Sequence, residues 1–308
     1  MSDTATNAPL AIERFQSREA WLEARRSGIG GTDAVAILGH SSWRSPYTVY
    51  AEKKLDLPDK PGDAESEAML WGRVLEEPVR AEWERRSKLI ALPTPLSIVR
   101  DPEFSFLFAS PDALVDDDAG LEIKTASEWK NADWSNEVPL GYQIQMQHYL
   151  MVTGRERWHV AALIGGQKLV CATVERNEDF IKTLRESLVE WWALHIIGDE
   201  RPAIDGSDST TETIKRVFPP DAVTGEIVTL SDDWFAAHED LVDLKAEAAA
   251  IDARVCEIEN RLKVQLGNAV KAILPGGLGS YTLKPQHRKS YTVAAADFKV
   301  LRYSKKGE

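Results

Sequence analysis

Asp112, Glu122 and Lys124 are the residues whose types and spacing are best suited to chemistry. Asp112 lies in Ser110-Pro111-Asp112 at the head of the apolar run Ala113-Leu114-Val115. Glu122 and Lys124 lie in the next run, Leu121-Glu122-Ile123-Lys124-Thr125, beyond the acidic turn Asp116-Asp117-Asp118-Ala119-Gly120. Strand, turn and strand predict an antiparallel hairpin that brings the two carboxylates together. The two-residue period of a strand sends Glu122 and Lys124 to one face and Ile123 to the other. An acid and a lysine on an otherwise apolar strand are costly to bury unless something compensates them. Two carboxylates with the Ile123 carbonyl form a hard-oxygen donor set suited to magnesium. The lysine beside them can position or deprotonate a water that attacks phosphorus. A surface hairpin closed by a salt bridge uses the same residues, so the spacing alone leaves both readings open.

The elements around this hairpin read as an α/β core. Residues 17–26 form a helix with Ser17 as N-cap and Glu19 in its first turn. The turn Gly28-Ile29-Gly30-Gly31-Thr32-Asp33 feeds a second helix capped by Thr32 or Asp33. Such a turn offers backbone N–H groups and a helix dipole to an anion, although a plain inter-helix turn has the same composition. A helix over 65–86 places Leu75, Val79 and Trp83 on one face, with Glu76 beside the stripe. Strands follow at 97–100, 104–109, 113–115 and 121–125. A helix over 139–153, strands at 158–163 and 168–174, and a helix over 179–197 complete a mixed sheet flanked by helices. His148 and His159 sit in apolar patterns and read as core residues.

Residues 202–220 have linker composition. Beyond them, Leu241, Leu244, Ala248, Ile251, Val255, Ile258 and Leu262 recur at alternating three- and four-residue steps, a heptad stripe that predicts a coiled-coil-like helix. Pro275-Gly276-Gly277 breaks it, and 279–293 reads as a small β-hairpin bearing Lys284, His287, Arg288 and Lys289, an accessory DNA contact or a solvated tip. The expected organisation is a flexible tail over 1–11, a core over 12–200, a linker over 201–230 and an arm over 231–308.

Composition narrows the setting. Among 308 residues, 37 Lys and Arg stand against 49 Asp and Glu, a net charge of −12. A protein that coats nucleic acid non-specifically needs a broadly basic surface, so any action on DNA here must use local positive clusters such as Arg25-Arg26. The two cysteines, Cys171 and Cys256, exclude a disulfide scaffold, a zinc cluster and a four-cysteine iron–sulfur site. No basic and apolar leader and no run of about 20 apolar residues is present, which predicts a soluble cytoplasmic protein with no membrane partner.

Four ordered segments carry a family resemblance. They are Trp21-Leu-Glu-Ala-Arg25-Arg-Ser-Gly-Ile-Gly-Gly-Thr32, Trp71-Gly72-x₃-Glu76, Pro111-Asp112 with Glu122-Ile123-Lys124, and Tyr142-Gln143-Ile144-Gln145-Met146-Gln147. With them the chain resembles the YqaJ-like viral recombinase family, a lambda-exonuclease-like branch of the PD-(D/E)XK nuclease superfamily. The resemblance implies a restriction-endonuclease-like fold and a magnesium-dependent 5′→3′ exonuclease that leaves 3′ single strands for recombination. A structure-specific or nicking endonuclease, or a non-catalytic DNA-end scaffold, are the rival readings on the same core. It further implies that Glu76, Asp112, Glu122 and the Ile123 carbonyl hold two Mg²⁺ ions, with Mn²⁺ able to substitute, and that Lys124 is the catalytic lysine. Arg25, Gly30, Gly31 and Thr32 would receive a 5′-phosphate. Gln145 and Gln147 would lie beside the site. Two residues apart on a helix they cannot share a face, so different jobs are expected of them. The implied partners are double-stranded DNA ends, a single-strand annealing protein and further copies of the chain in a trimeric ring. The implied setting is a bacterial host cell, with a phage or prophage origin.

Overall fold

The computed structural model describes residues 10–55, 57, 66–134, 137–290, 292, 295 and 297–303. The chain divides into two compact units, Met1–Pro219 and Pro220–Glu308. The first unit begins with β1 (Ile12–Arg14), α1 (Arg18–Arg26), α2 (Gly31–Ile37), α3 (Pro46–Lys54) and α4 (Glu67–Ser87). The strands β2 (Ala91–Pro93), β3 (Ser97–Arg100), β4 (Phe108–Ala109), β5 (Ala113–Val115) and β6 (Gly120–Ala126) follow. Then come α5 (Leu140–Thr153), β7 (Arg157–Ile164), β8 (Lys168–Glu175), α6 (Glu178–Trp191) and α7 (Asp208–Val217). Residues 1–9 of the expected tail over 1–11 and the expected start of α4 at Glu65 lie outside the described residues.

A five-stranded sheet in the order β2-β5-β6-β7-β8 carries the unit, and a second sheet pairs β1, β3 and β4. The β5–β6 pairing is the expected hairpin, antiparallel with Ala113 opposite Leu121. Strand β6 then pairs parallel with β7, with Glu122 opposite Val160, because α5 crosses over between them. The sheet is mixed for that reason, and its two faces bury different partners. Leu121, Ile123 and Ala161 join Val79 and Trp83 of α4 in one core cluster. On the opposite face Val160, Ala162 and Ile164 pack with Ile144, Met146 and Leu150 of α5. Strand alternation therefore points Glu122 and Lys124 toward the α5 side.

The stretch expected as linker is partly ordered. Helix α7 is capped by Ser207, whose hydroxyl accepts from Thr210 N, and it docks on α3 through a buried hydroxyl cluster. Thr48 Oγ1 lies 2.8 Å from both Ser209 Oγ and Thr213 Oγ1, and Thr210 Oγ1 donates to Ser45 Oγ at 2.7 Å. Serines and threonines that read as loop composition are here the contact itself. His148 is a core residue, as expected, whereas His159 is only half-buried, with Nε2 3.1 Å from Asp117 Oδ2 and Nδ1 2.9 Å from Thr173 Oγ1. His148 is fully buried with Nε2 2.9 Å from Phe108 O, and burial pulls its pKa down to about 4.

The second unit contains α8 (Trp234–Leu266), a 33-residue helix, and a hairpin of β9 (Lys271–Ile273) and β10 (Ser280–Thr282). The hairpin is present but lies earlier than expected. Gly267 ends the helix at positive φ, and Pro275-Gly276-Gly277 makes the turn between the strands instead of stopping the helix. Lys284, His287, Arg288 and Lys289 consequently follow the hairpin, in exposed chain without strand structure. Val293, the expected hairpin end, lies outside the described residues. No helix among the described residues is long and apolar enough to cross a membrane.

Candidate active site

The hairpin places its acids as the period-two pattern requires. Asp112 is fixed from both sides: Thr94 N donates to its carbonyl at 3.0 Å, and Thr94 Oγ1 donates to the Pro111 carbonyl at 2.6 Å. The Asp112 carboxylate accepts the Ile123 amide at 2.7 Å. Glu122 is buried, and Lys124 Nζ donates to its Oε1 while lying 5.4 Å from the centre of the Tyr142 ring. Glu122 Oε2 is buried and accepts no hydrogen bond. Glu76 reaches the same field from α4, half-buried. The helix comes close to β6 at Gly72, where a Cβ would stand 3.6 Å from Thr125 Oγ1.

The electrostatics are those of too many acids for one base. Burial and the Glu122 carboxylate push Asp112 well above the usual carboxylate range, with Glu76 adding to the push. Glu76 is itself raised, by burial and then by Glu122. Burial pulls the Lys124 ammonium down, but Glu122 and Asp112 outweigh it and hold the group above the ordinary lysine value. Lys124 faces three carboxylates and Arg80, itself paired with Glu84, offsets only Glu76, so negative charge stays in excess, and the orphaned Glu122 oxygen is a ligand atom without a partner. That donor set fits a small divalent cation. Among the described residues no three acidic, histidine or cysteine side chains converge tightly enough to hold an ion as they stand, and the Lys124 ammonium sits on Glu122 Oε1.

Helix α5 supplies the third side. Gln145 Nε2 donates to Glu122 Oε1 at 2.8 Å and lies 3.1 Å from Tyr149 Oη, which donates to Ser110 O at 3.2 Å. Gln147 is not brought to this site. Its Nε2 donates to Glu175 O at 2.7 Å, and its Oε1 accepts Asn177 N at 3.1 Å, tying α5 to the β8–α6 connection. Two residues along a helix is a turn of about 200°, which sends the pair to different neighbours. Tyr142 and Tyr149 were not singled out from the sequence. Their spacing of three and four residues from Gln145 was the available signal, because it puts all three on one face.

The glycine turn differs from its expected form. Gly30, rather than Thr32 or Asp33, is the N-cap of α2, and its N–H donates to Asp33 Oδ2 at 3.0 Å. That amide is therefore engaged within the turn. Gly31 has another role: a Cβ there would stand 2.8 Å from both Gln145 Cγ and Tyr149 Cε1. Thr32 is exposed on the first turn of α2. Asp33 is buried and forms ion pairs with Arg44 at 2.7 Å and Lys53 at 2.8 Å. Burial alone would raise its pKa, but Lys53 and Arg44 hold it far below the usual carboxylate range. Lys53 also donates to the Arg25 carbonyl at 3.3 Å. The Arg25 guanidinium stands 4.5 Å from the Trp21 ring centre and 5.9 Å from that of Phe108, and it forms no close ion pair among the described residues although it acts on Asp33 at longer range. It lines a cavity of about 720 Å³ with Arg26, Arg44, Lys53, Lys54 and Arg216, and with the acids Glu23, Asp33 and Glu52. An arginine seated on aromatic rings keeps its N–H donors for another acceptor.

Residues 20–156 match the YqaJ-like viral recombinase domain. The chain is 33% identical over 268 residues to the uncharacterized protein YqaJ of Bacillus subtilis (strain 168), covering 84% of this chain and 82% of that protein. An alkaline exonuclease, LHK-Exo of Laribacter hongkongensis, shares the fold with a TM-score of 0.51 at 20% identity, over 58% of this chain and 93% of that one. Its complex with dAMP gives 0.51 at 21% identity over the same shares. The mixed sheet between α4 and α5 is thus the PD-(D/E)XK-like fold of alkaline exonucleases.

Proposed function

Because the chain belongs to the YqaJ-like viral recombinase family, we propose that it is a magnesium-dependent deoxyribonuclease, a 5′→3′ exonuclease that acts on duplex ends and leaves 3′ single strands. The observation that carries this reading is the buried, unpartnered Glu122 Oε2 within three carboxylates that share one lysine. Glu76, Asp112, Glu122 and the Ile123 carbonyl would hold two Mg²⁺ ions, or Mn²⁺ in their place. Bound there, such ions supply Lewis-acid stabilisation of charge developing on phosphorus. The remaining work falls to the chain's own groups. The Lys124 ammonium faces the same carboxylates and orients the attacking water. Gln145 holds Glu122 in place from α5.

Arg25 receives the terminal 5′-phosphate in this reading. Its aromatic seat and the excess of arginine and lysine over acids around its cavity support the role, and a guanidinium matches phosphate geometry. Gly30 contributes by holding the turn rather than by donating its amide. The product strand suits an annealing protein as the next partner, in a phage or prophage recombination system. The test is digestion of linear and circular forms of one plasmid, with Mg²⁺ and with chelator. Loss of the linear form alone, only with Mg²⁺, is expected. Cleavage of the circle would replace the exonuclease by an endonuclease, and binding of ends without cleavage would leave a scaffold.

A further inference from the structure

Among the described residues, the α8 seam from Leu241 to Ile258 has no cover within its own unit. Leu241, Leu244, Ile251, Val255 and Ile258 are all exposed, Leu244 and Ile251 by more than 60%. A helix with a continuous apolar stripe gains its stability by burying that stripe against a partner. Among the described residues of 220–308 the other elements are the β9–β10 hairpin and short turns at Pro220–Ala222 and Pro275–Gly277. None is a helix that could run alongside.

The charges flanking the seam identify a partner. With Leu241 at heptad position a, Asp240, Glu247, Arg254 and Arg261 occupy g, and Lys245 and Asp252 occupy e. None of these six makes an ion pair within the chain among the described residues. Set against an antiparallel copy of the same helix, Leu241 meets Ile258, Leu244 meets Val255 and Ala248 meets Ile251, each layer repeated by the two-fold axis. In that register g faces g and e faces e. Asp240 then meets Arg261, Glu247 meets Arg254 and Lys245 meets Asp252, so every cross pair joins opposite charges. A parallel copy pairs g with e instead: Asp240 meets Lys245 and Arg254 meets Glu259, but Glu247 meets Asp252 twice, a like-charge contact that the antiparallel register avoids. The small Ala248 opposite Ile251 also balances volume beside the two-fold axis.

We propose that α8 pairs antiparallel with α8 of a second copy of this chain, forming an isologous two-fold interface. The flanking charges set the direction and the a and d residues supply the buried area. The proposal does not depend on the nuclease reading.

Light scattering of the full chain across a concentration series reads the assembly. A dimer is expected. Glu247→Arg places like charges against Arg254 of the second copy at two symmetric positions, and Arg254→Glu does the same against Glu247. Each substitution should weaken the dissociation constant by at least about tenfold. Both positions are exposed, so circular dichroism should show unchanged helix content. Mixing the two variant chains pairs opposite charges again and should restore association. A chain that stays monomeric overturns the proposal, as does a trimer indifferent to both substitutions. A dimer that Glu247→Arg tightens would mean parallel pairing and overturns it equally. Failure of the mixture to recover places these charges away from the seam.

Discussion

Two buried charge clusters lie in the first unit, and they are built oppositely. Around Asp33 one carboxylate meets two cations, Arg44 and Lys53, and also accepts the Gly30 amide. Every strong bond the carboxylate needs is made inside the chain, and its pKa is driven far down. Around Glu122 three carboxylates meet one lysine, one Glu122 oxygen is left without a partner, and Asp112 and Glu76 are pushed up. A satisfied cluster holds backbone in place, while an unsatisfied one stores affinity for something not in the chain. The difference separates scaffold from site using charge count and partners alone.

The comparison breaks first at catalysis. Lys124→Ala, Asp112→Asn and Glu122→Gln should each slow Mg²⁺-dependent cleavage by about a thousandfold or more. Asp112→Asn should meanwhile leave the chelated protein at least as stable in urea, because it removes a repelled charge. Retained turnover with Lys124→Ala would sink the assignment of the site.

The satisfied cluster should fail in the other sense. Asp33→Ala strands two cations, one of them almost fully buried, and should cost about 3 kcal/mol or more of stability by denaturant unfolding. The sign of its pH dependence follows from its depressed pKa. Its contribution is present above the ordinary aspartate range and is lost as pH falls below that range. Asp33→Asn should flatten that part of the stability profile, and an unchanged profile would mean Asp33 is not the group being titrated.

A smaller effect sharpens the contrast. Mg²⁺ at a hundred times its dissociation constant should stabilise the wild-type chain by about 2.7 kcal/mol. Asp112→Asn should lose most of this, whereas Asp33→Asn should keep it. The smallest effect concerns Arg25, whose carbonyl hangs from Lys53 of the satisfied cluster. Arg25→Ala should slow digestion of 5′-phosphorylated ends by about tenfold and of 5′-hydroxyl ends much less. Equal slowing would make Arg25 a general backbone contact.

Much of this was legible in the sequence, because local periodicity governs it. The β5–β6 hairpin, the shared face of Glu122 and Lys124 and the α8 stripe follow from two-residue and heptad patterns, and the Ser17 cap from local hydroxyl chemistry. What was not legible depends on partners distant in the chain. Nothing near Asp33 announces Lys53, and the hydroxyls at 207–213 read as loop until Thr48 is placed beside them. Pro275-Gly276-Gly277 was recognisable as a breaker but not as the inside of a hairpin, since Gly267 had already ended the helix. Gln145 and Gln147 were separable in principle by their angle around α5, and the structure gives each its own neighbour.

Gly31 has a consequence for mutational tolerance. Its backbone is not in the left-handed region, so no torsional rule reserves the position for glycine. The reservation comes from volume, because Gln145 and Tyr149 already fill the space a methyl group would take. Gln145 holds Glu122 across the same contact, so a single added carbon at Gly31 is transmitted to a carboxylate 91 positions later in the chain. A turn that carries no reacting group is thereby as intolerant of change as the acids themselves, and an alanine there should register as lost cleavage before it registers as lost fold.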